Sequence, residues 1–154
     1  MNLGNKQMEE DMIYPVQITL KSTLDGETTS NNYAGECRIK NGIYTIVYTE
    51  YTGNMFTKVG IEASKNAMLI HRVGAFEGDM FFDPGSDTSF RYDTLGLTHE
   101  FLLHTAQYEL KELSQGLLLY VKYVMTDHSS EQGICGLQEI TVTKPENTSH
   151  EENI

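Results

Sequence analysis

Apolar residues recur at every second position in short runs along this chain, and pairs of turn-forming residues cut the runs apart. A period of two sends successive side chains to opposite faces of a strand, so each run can bury one face and wet the other. The sharpest instance is Arg38-Ile39-Lys40-Asn41-Gly42-Ile43-Tyr44-Thr45-Ile46-Val47-Tyr48. Two runs there flank Asn-Gly, the pair that tolerates the positive backbone angles of a tight hairpin turn.

The same pattern predicts a first strand over 12–24, where Tyr14, Val16, Ile18 and Leu20 share a face and Pro15 suggests an edge or a strand start. Asp25-Gly26 ends it. Further strands are expected over 33–40, 43–50, 55–62, 67–73, 79–83 and 88–94, separated by Gly53-Asn54, Ser64-Lys65-Asn66 and Asp83-Pro84-Gly85. Residues 97–113 are ambiguous, because Phe101, Leu102, Thr105, Tyr108 and Leu110 fit either a helix or strands. With no N-terminal capping box and no terminating glycine before Gly116, strands are the better reading. Residues 116–125, apolar on both faces, and 136–143 complete the set. About nine or ten antiparallel strands with short connections and no strand-helix alternation predict an all-β fold. The natural form is a closed or nearly closed barrel, since closure removes edges that would otherwise aggregate.

At 154 residues the chain suits one domain able to bury its own core. The expected organisation is a flexible lead over 1–11, a barrel over 12–144 and a disordered polar tail over 145–154. Acidic residues outnumber basic ones 22 to 11, and the formal charge of −11 repels phosphate backbones and anionic lipid, which argues against nucleic acid or membrane partners. The longest apolar stretch, Leu117-Leu118-Leu119-Tyr120-Val121, falls far short of the roughly 20 residues needed to span a bilayer. The polar lead carries no secretory pattern, and Cys37 and Cys135 lack metal or redox spacing, so a cytoplasmic protein with reduced thiols is expected.

Candidate chemistry is sparse. Histidines stand at 71, 99, 104, 128 and 150 without ligand spacing, no Gly-x-Ser-x-Gly or phosphate-binding loop is present, and neither metal nor cofactor is expected. One constellation remains: Tyr48 with Glu50, Lys58, Arg72, and Tyr92 beside Asp93. Alternation puts Tyr44, Ile46, Tyr48 and Glu50 on one face of their strand, and Met68, Ile70 and Arg72 on one face of theirs. A cross-strand ion pair in solvent is the plainer reading of Arg72 and Glu50. Turned inward, the same arginine needs a carboxylate, from Glu50 or Asp93, and the barrel interior then holds charge.

Several segments together resemble the YwiB-like family of small bacterial proteins. They are Lys40-Asn41-Gly42-Ile43-Tyr44 leading to Tyr48-Thr49-Glu50, then Tyr51-Thr52-Gly53, Arg72-Val73-Gly74, Met80-Phe81-Phe82 and Tyr92-Asp93-Thr94. The resemblance runs over about 33–143 and implies a calycin-like barrel of about ten strands, shaped like lipocalins and fatty-acid carriers, in a family of unknown function. It implies no activity. The chain departs from the pattern at Leu95-Gly96, where the family tends to continue Pro-Tyr-Gly, and its lead is longer.

Three functions follow as expectations. The first is a non-enzymatic barrel that binds a small, partly apolar or carboxylate-bearing molecule through Tyr48, Glu50, Arg72, Tyr92 and Asp93, with Arg72 anchoring an anionic group. The second is a protein-interaction or homo-oligomerisation module with a packed interior, suggested by the two-faced apolar run at 117–121. The third, an enzyme using Tyr92, Asp93 and a histidine as acid and base, has no activating pair visible in the sequence.

Overall fold

The computed structural model describes residues 8–127 and 133–145. Residues 1–7, 128–132 and 146–154 lie outside the described residues, and with them fall His128, His150 and most of the expected lead and tail. Ten strands follow in order: β1 (Ile13–Leu24), β2 (Glu27–Lys40), β3 (Ile43–Thr52), β4 (Met55–Ala63), β5 (Met68–Gly74), β6 (Phe76–Phe82), β7 (Thr88–Thr94), β8 (Leu97–Leu113), β9 (Gly116–Asp127) and β10 (Gly133–Thr143). Each pairs antiparallel with its sequence neighbour, and β1 pairs with β10 to close the barrel. The all-β closed barrel expected from the alternation is the observed fold.

Local chemistry explains the hairpins. Asp25 and Gly26 take φ of 47° and 89°, and Asn41 and Gly42 take 53° and 77°, the paired positive angles whose twist matches two-residue hairpins. Strands β6 and β10 each start three residues before the expected 79 and 136, and β2 and β8 differ further. Strand β2 begins at Glu27, six residues before the predicted start, because its first turn of chain is polar on both faces and carries no apolar alternation. Hydroxyl and amide pairs hold that stretch to β1 instead, Thr19 to Asn32 at 2.8 Å and Thr23 to Thr28 at 2.9 Å. Residues 97–113 form one 17-residue strand, with an irregularity between Thr105 and Gln107 that moves the inward face from odd to even numbers. Pro15, the third residue of β1, pairs with β2 and lies before the point, at Gln17, where β10 begins to pair, so it falls near the strand start on a locally unpaired edge, as expected.

The two ends of the barrel are filled differently. At the end marked by the Asn41-Gly42 turn, inward side chains such as Ile61, Ala63, Met68, Phe82, Leu117 and Val142 are fully buried. Each fully buried aliphatic or aromatic side chain there adds about 1.5–3 kcal/mol. Residues 8–11 lie against the same end: the Asp11 amide donates to the Ile39 carbonyl at 2.6 Å, and Glu10 Oε1 accepts from the Asn41 amide at 2.8 Å. Within β9, Leu117, Leu119 and Val121 point into the core, while Leu118 and Tyr120 are half-buried on the outer wall.

Candidate functional site

Toward the opposite end the side chains stop meeting, and a cavity of about 380 Å³ remains inside the barrel. Strand β3 delivers Glu50 two residues beyond buried Tyr48, and β5 delivers Arg72 two residues beyond buried Ile70. Strand β4 lies between them, with Val59 paired to both Tyr48 and Arg72 and Thr57 paired to Glu50. The concave inner wall lets Arg72 reach across β4, and its Nε donates to Glu50 Oε1 at 3.5 Å. The other carboxylate oxygen accepts from the Tyr48 hydroxyl at 3.3 Å. Only 12% of the arginine side chain and 19% of the glutamate remain exposed, so this is a mostly buried ion pair facing inward. The plainer solvent-facing reading of the two residues does not describe their placement.

The register carries the row onward. Gly78 pairs with both Arg72 and Tyr92, so no side chain separates the guanidinium from the tyrosine on the inner face. Tyr92 stacks on Phe76 with centroids 6.1 Å apart, and Phe90 on Phe101 at 5.1 Å. These rings form the apolar wall of the cavity. Asp93, one residue on, faces outward by strand alternation, where Thr98 donates to it at 2.6 Å and Arg91 lies 3.6 Å away. Lys58 is exposed on the outer wall as well. Of the predicted constellation, the fold therefore gathers Tyr48, Glu50, Arg72 and Tyr92 and leaves out Asp93 and Lys58.

Two participants were not foreseen. Gln138 is 7% exposed and lines the cavity from β10; its Nε2 donates to the Tyr123 hydroxyl at 3.3 Å, while its Oε1 has no partner. The Tyr123 ring lies over Gly136, where an added Cβ would come within 2.2 Å of Cζ, so glycine at 136 makes the room that sets Tyr123 beside Gln138. A second buried oxygen without a partner, Thr105 Oγ1, belongs to the residue paired with Tyr123 on its other side. The signal for Gln138 was present in the sequence as a polar residue on the otherwise apolar face of Ile140 and Val142.

Protonation states follow from burial. Burial pulls the Arg72 pKa down, but Glu50, Tyr48 and Tyr92 together outweigh it and leave the guanidinium above its ordinary value. Burial raises Tyr48, Tyr92 and Tyr123, so their hydroxyls stay protonated; Tyr48 donates to Glu50, and Tyr123 accepts from Gln138. Elsewhere, His71 pairs with Asp79 and His104 with Asp87 on the outer wall, and His99 packs on Phe101 at 6.2 Å. Among the described residues no three His, Cys, Asp or Glu groups gather as a metal site. Both cysteines are free; burial pushes the Cys37 thiol up to about 11, and Cys135 is exposed. Among the described residues no helix is long and apolar enough to cross a membrane.

A family model described as "Domain of unknown function (DUF1934)" matches residues 16–138, a span that holds every residue of the cavity row. No curated protein matches the chain. Among solved structures, the chain is similar to "Crystal structure of ywiB protein from Bacillus subtilis", with a TM-score of 0.75 and 19% sequence identity over 86% of this chain and 92% of that one. At that identity the likeness speaks to the barrel fold.

Proposed function

We propose that this chain, which belongs to the DUF1934 family, is a binding barrel that holds a small, partly apolar molecule in its cavity without transforming it, the polar end of the ligand set against Arg72. The family description assigns no activity, so the reading rests on the chain's own geometry. The observation that carries it is the content of one end of the lumen, a cavity of about 380 Å³ with aromatic walls and a buried ion pair, larger than the recess of about 230 Å³ beside Tyr44 and Glu112 at the other end. A barrel built only for stability gains by replacing such a pair with apolar side chains, which is often neutral or stabilising. Arg72 is bonded through Nε alone, which leaves its terminal nitrogens to donate to the acceptor end of a ligand, a carboxylate or a carbonyl. Protonated tyrosines beside it favour recognition over proton abstraction, and the acidic surface and free thiols fit a cytoplasmic protein without nucleic acid or membrane partners.

The test is mass spectrometry of protein purified under non-denaturing conditions, with a thermal-shift panel of small aromatic and aliphatic acids, amides and alcohols. A co-purifying molecule, or a rise in Tm with one chemical class, is expected. No bound molecule and no shift anywhere in the panel would overturn the reading.

A second reading, self-association, has its own observation. Val47, Tyr51, Phe56 and Val73 lie exposed on the outer wall of β3, β4 and β5, Tyr51 at 75%. The occupant proposed is a second copy of the chain. Sedimentation velocity over a wide concentration range should then show a dimer, and a monomer throughout removes this reading.

A further inference from the structure

The cavity's charge and hydrogen-bond inventory goes beyond the presence of a ligand to its class, and the argument rests on the binding reading above. We infer that the site takes a small, uncharged, planar molecule whose edge carries a hydrogen-bond acceptor beside a donor, an aryl or ring amide, in preference to a carboxylate. The expectation that Arg72 anchors an anion overlooks its partner. Glu50 already neutralises the guanidinium at 3.5 Å, so an incoming carboxylate adds a second negative charge beside Glu50 in a site shielded from water. Like charges in such a setting disfavour ionisation, and an unpaired buried charge is costly.

The polar atoms themselves make the second argument. Gln138 lines the cavity, its Oε1 is buried and has no partner, and a carbonyl oxygen can only accept. It therefore calls for an N–H or O–H from the ligand, which a carboxylate lacks. Arg72, with its terminal nitrogens unbonded, calls for an acceptor. The Tyr123 hydroxyl accepts from Gln138 Nε2, which leaves its own proton to donate. An amide satisfies both demands with one carbonyl and one N–H and brings no net charge.

Shape supplies the third argument. The stacked Phe90–Phe101 and Phe76–Tyr92 pairs line the cavity, and an aromatic lining favours an aromatic partner. A volume of about 380 Å³ lies near the low end of the roughly 300–1,000 Å³ usual for small-molecule sites. That space is ample for one or two rings.

The experiment uses the isosteric series benzamide, benzoate and benzamidinium, with their naphthalene counterparts, titrated into the full chain at pH 7 by ligand-observed NMR. Benzamide or its naphthalene counterpart should bind about 10-fold more tightly than the matching carboxylate, the usual consequence of leaving a buried polar group unpaired. Gln138→Leu should lower amide affinity about 10-fold while leaving carboxylate binding unchanged. Glu50→Gln, which removes the competing charge and keeps the shape, should reverse the order in favour of the carboxylate. The inference is overturned if the carboxylate binds the wild-type protein as tightly as the amide, or if Glu50→Gln leaves the order as it was. Binding of other molecules but of no member of the series overturns the ligand class and spares the binding reading. Binding of nothing at all, in this series and in the wider panel, overturns both.

Discussion

The same strands build both ends of this barrel, yet the two ends treat buried polar groups in opposite ways. At the packed end the Tyr44 hydroxyl donates to Glu112 Oε2 at 2.6 Å and the Tyr108 hydroxyl to the Ser64 carbonyl at 2.6 Å. Burial raises the pKa of both tyrosines and each keeps its proton, but each has somewhere to donate it. At the cavity end Gln138 Oε1 has no acceptor role to play within the chain, and Arg72 is held by one nitrogen. Strand β3 supplies Tyr44 to the first arrangement and Glu50 to the second, six residues apart on one face. An unpaired buried acceptor costs about 1–3 kcal/mol, a cost absent where stability is the only demand. The difference teaches that the barrel's stability and its chemistry are housed at different ends.

Truncation at two points of one strand is the strongest way to break that division. Leu119 is fully buried in β9, paired with Ile140, and Leu119→Ala should destabilise by about 3–4 kcal/mol, since it removes close contacts and opens a void. Met125 lies on the same strand, partly buried against space that is already empty. Met125→Ala should cost about 1 kcal/mol or less, because little of its surroundings loses contact. Chemical denaturation of both variants measures the ratio. Equal costs would show the cavity end to be as stabilising as the packed end.

A smaller effect separates the ion pair from its parts. Arg72→Ala alone strands Glu50 in a mostly buried site and should cost about 2–3 kcal/mol. The double replacement Arg72→Met with Glu50→Leu removes both charges and keeps the volume, and its stability should return to the wild-type value or above it. The cycle, read by urea unfolding, sharpens the comparison: a double variant as weak as the single one would mean that the pair supports the fold rather than a ligand.

How far these features could be read from the chain depends on the kind of signal. Hairpins at Asp25-Gly26 and Asn41-Gly42 were plain, because their residues must supply positive φ where the register needs it. The alternation also placed Tyr48 and Glu50 together, and Ile70 and Arg72 together. It could not say which face was inner, since a shift of one residue inverts every side chain and period alone carries no sign. Residues 97–113 misled for a structural reason. The irregularity after Thr105 brings Tyr108, three positions later, onto the same inward face, which mimics helical spacing within a strand. The contact between Arg72 and Glu50 spans β4, and the Gly78 gap between Arg72 and Tyr92 depends on β6, so both become visible only with the registers known.

The smallest expected effect tests the rim of the cavity end. The β7–β8 hairpin turns through Leu95 and Gly96 at φ of 50° and 81°, the angles of a turn whose first position favours asparagine, aspartate or glycine. Leucine in the left-handed region crowds its Cβ against the following carbonyl, at about 1–2 kcal/mol. Here the side chain is 74% exposed and recovers little of that by burial. The Asn41-Gly42 turn of the packed end, with φ of 53° and 77°, solves the same backbone problem with the favoured residue. Leu95→Asn should therefore stabilise by about 1 kcal/mol, seen as a higher urea midpoint with an unchanged slope. If the leucine serves a ligand at the mouth, the same variant should weaken binding of the amide probe while raising stability. If it serves the fold, stability should fall instead, and the division between the two ends would not extend to this turn.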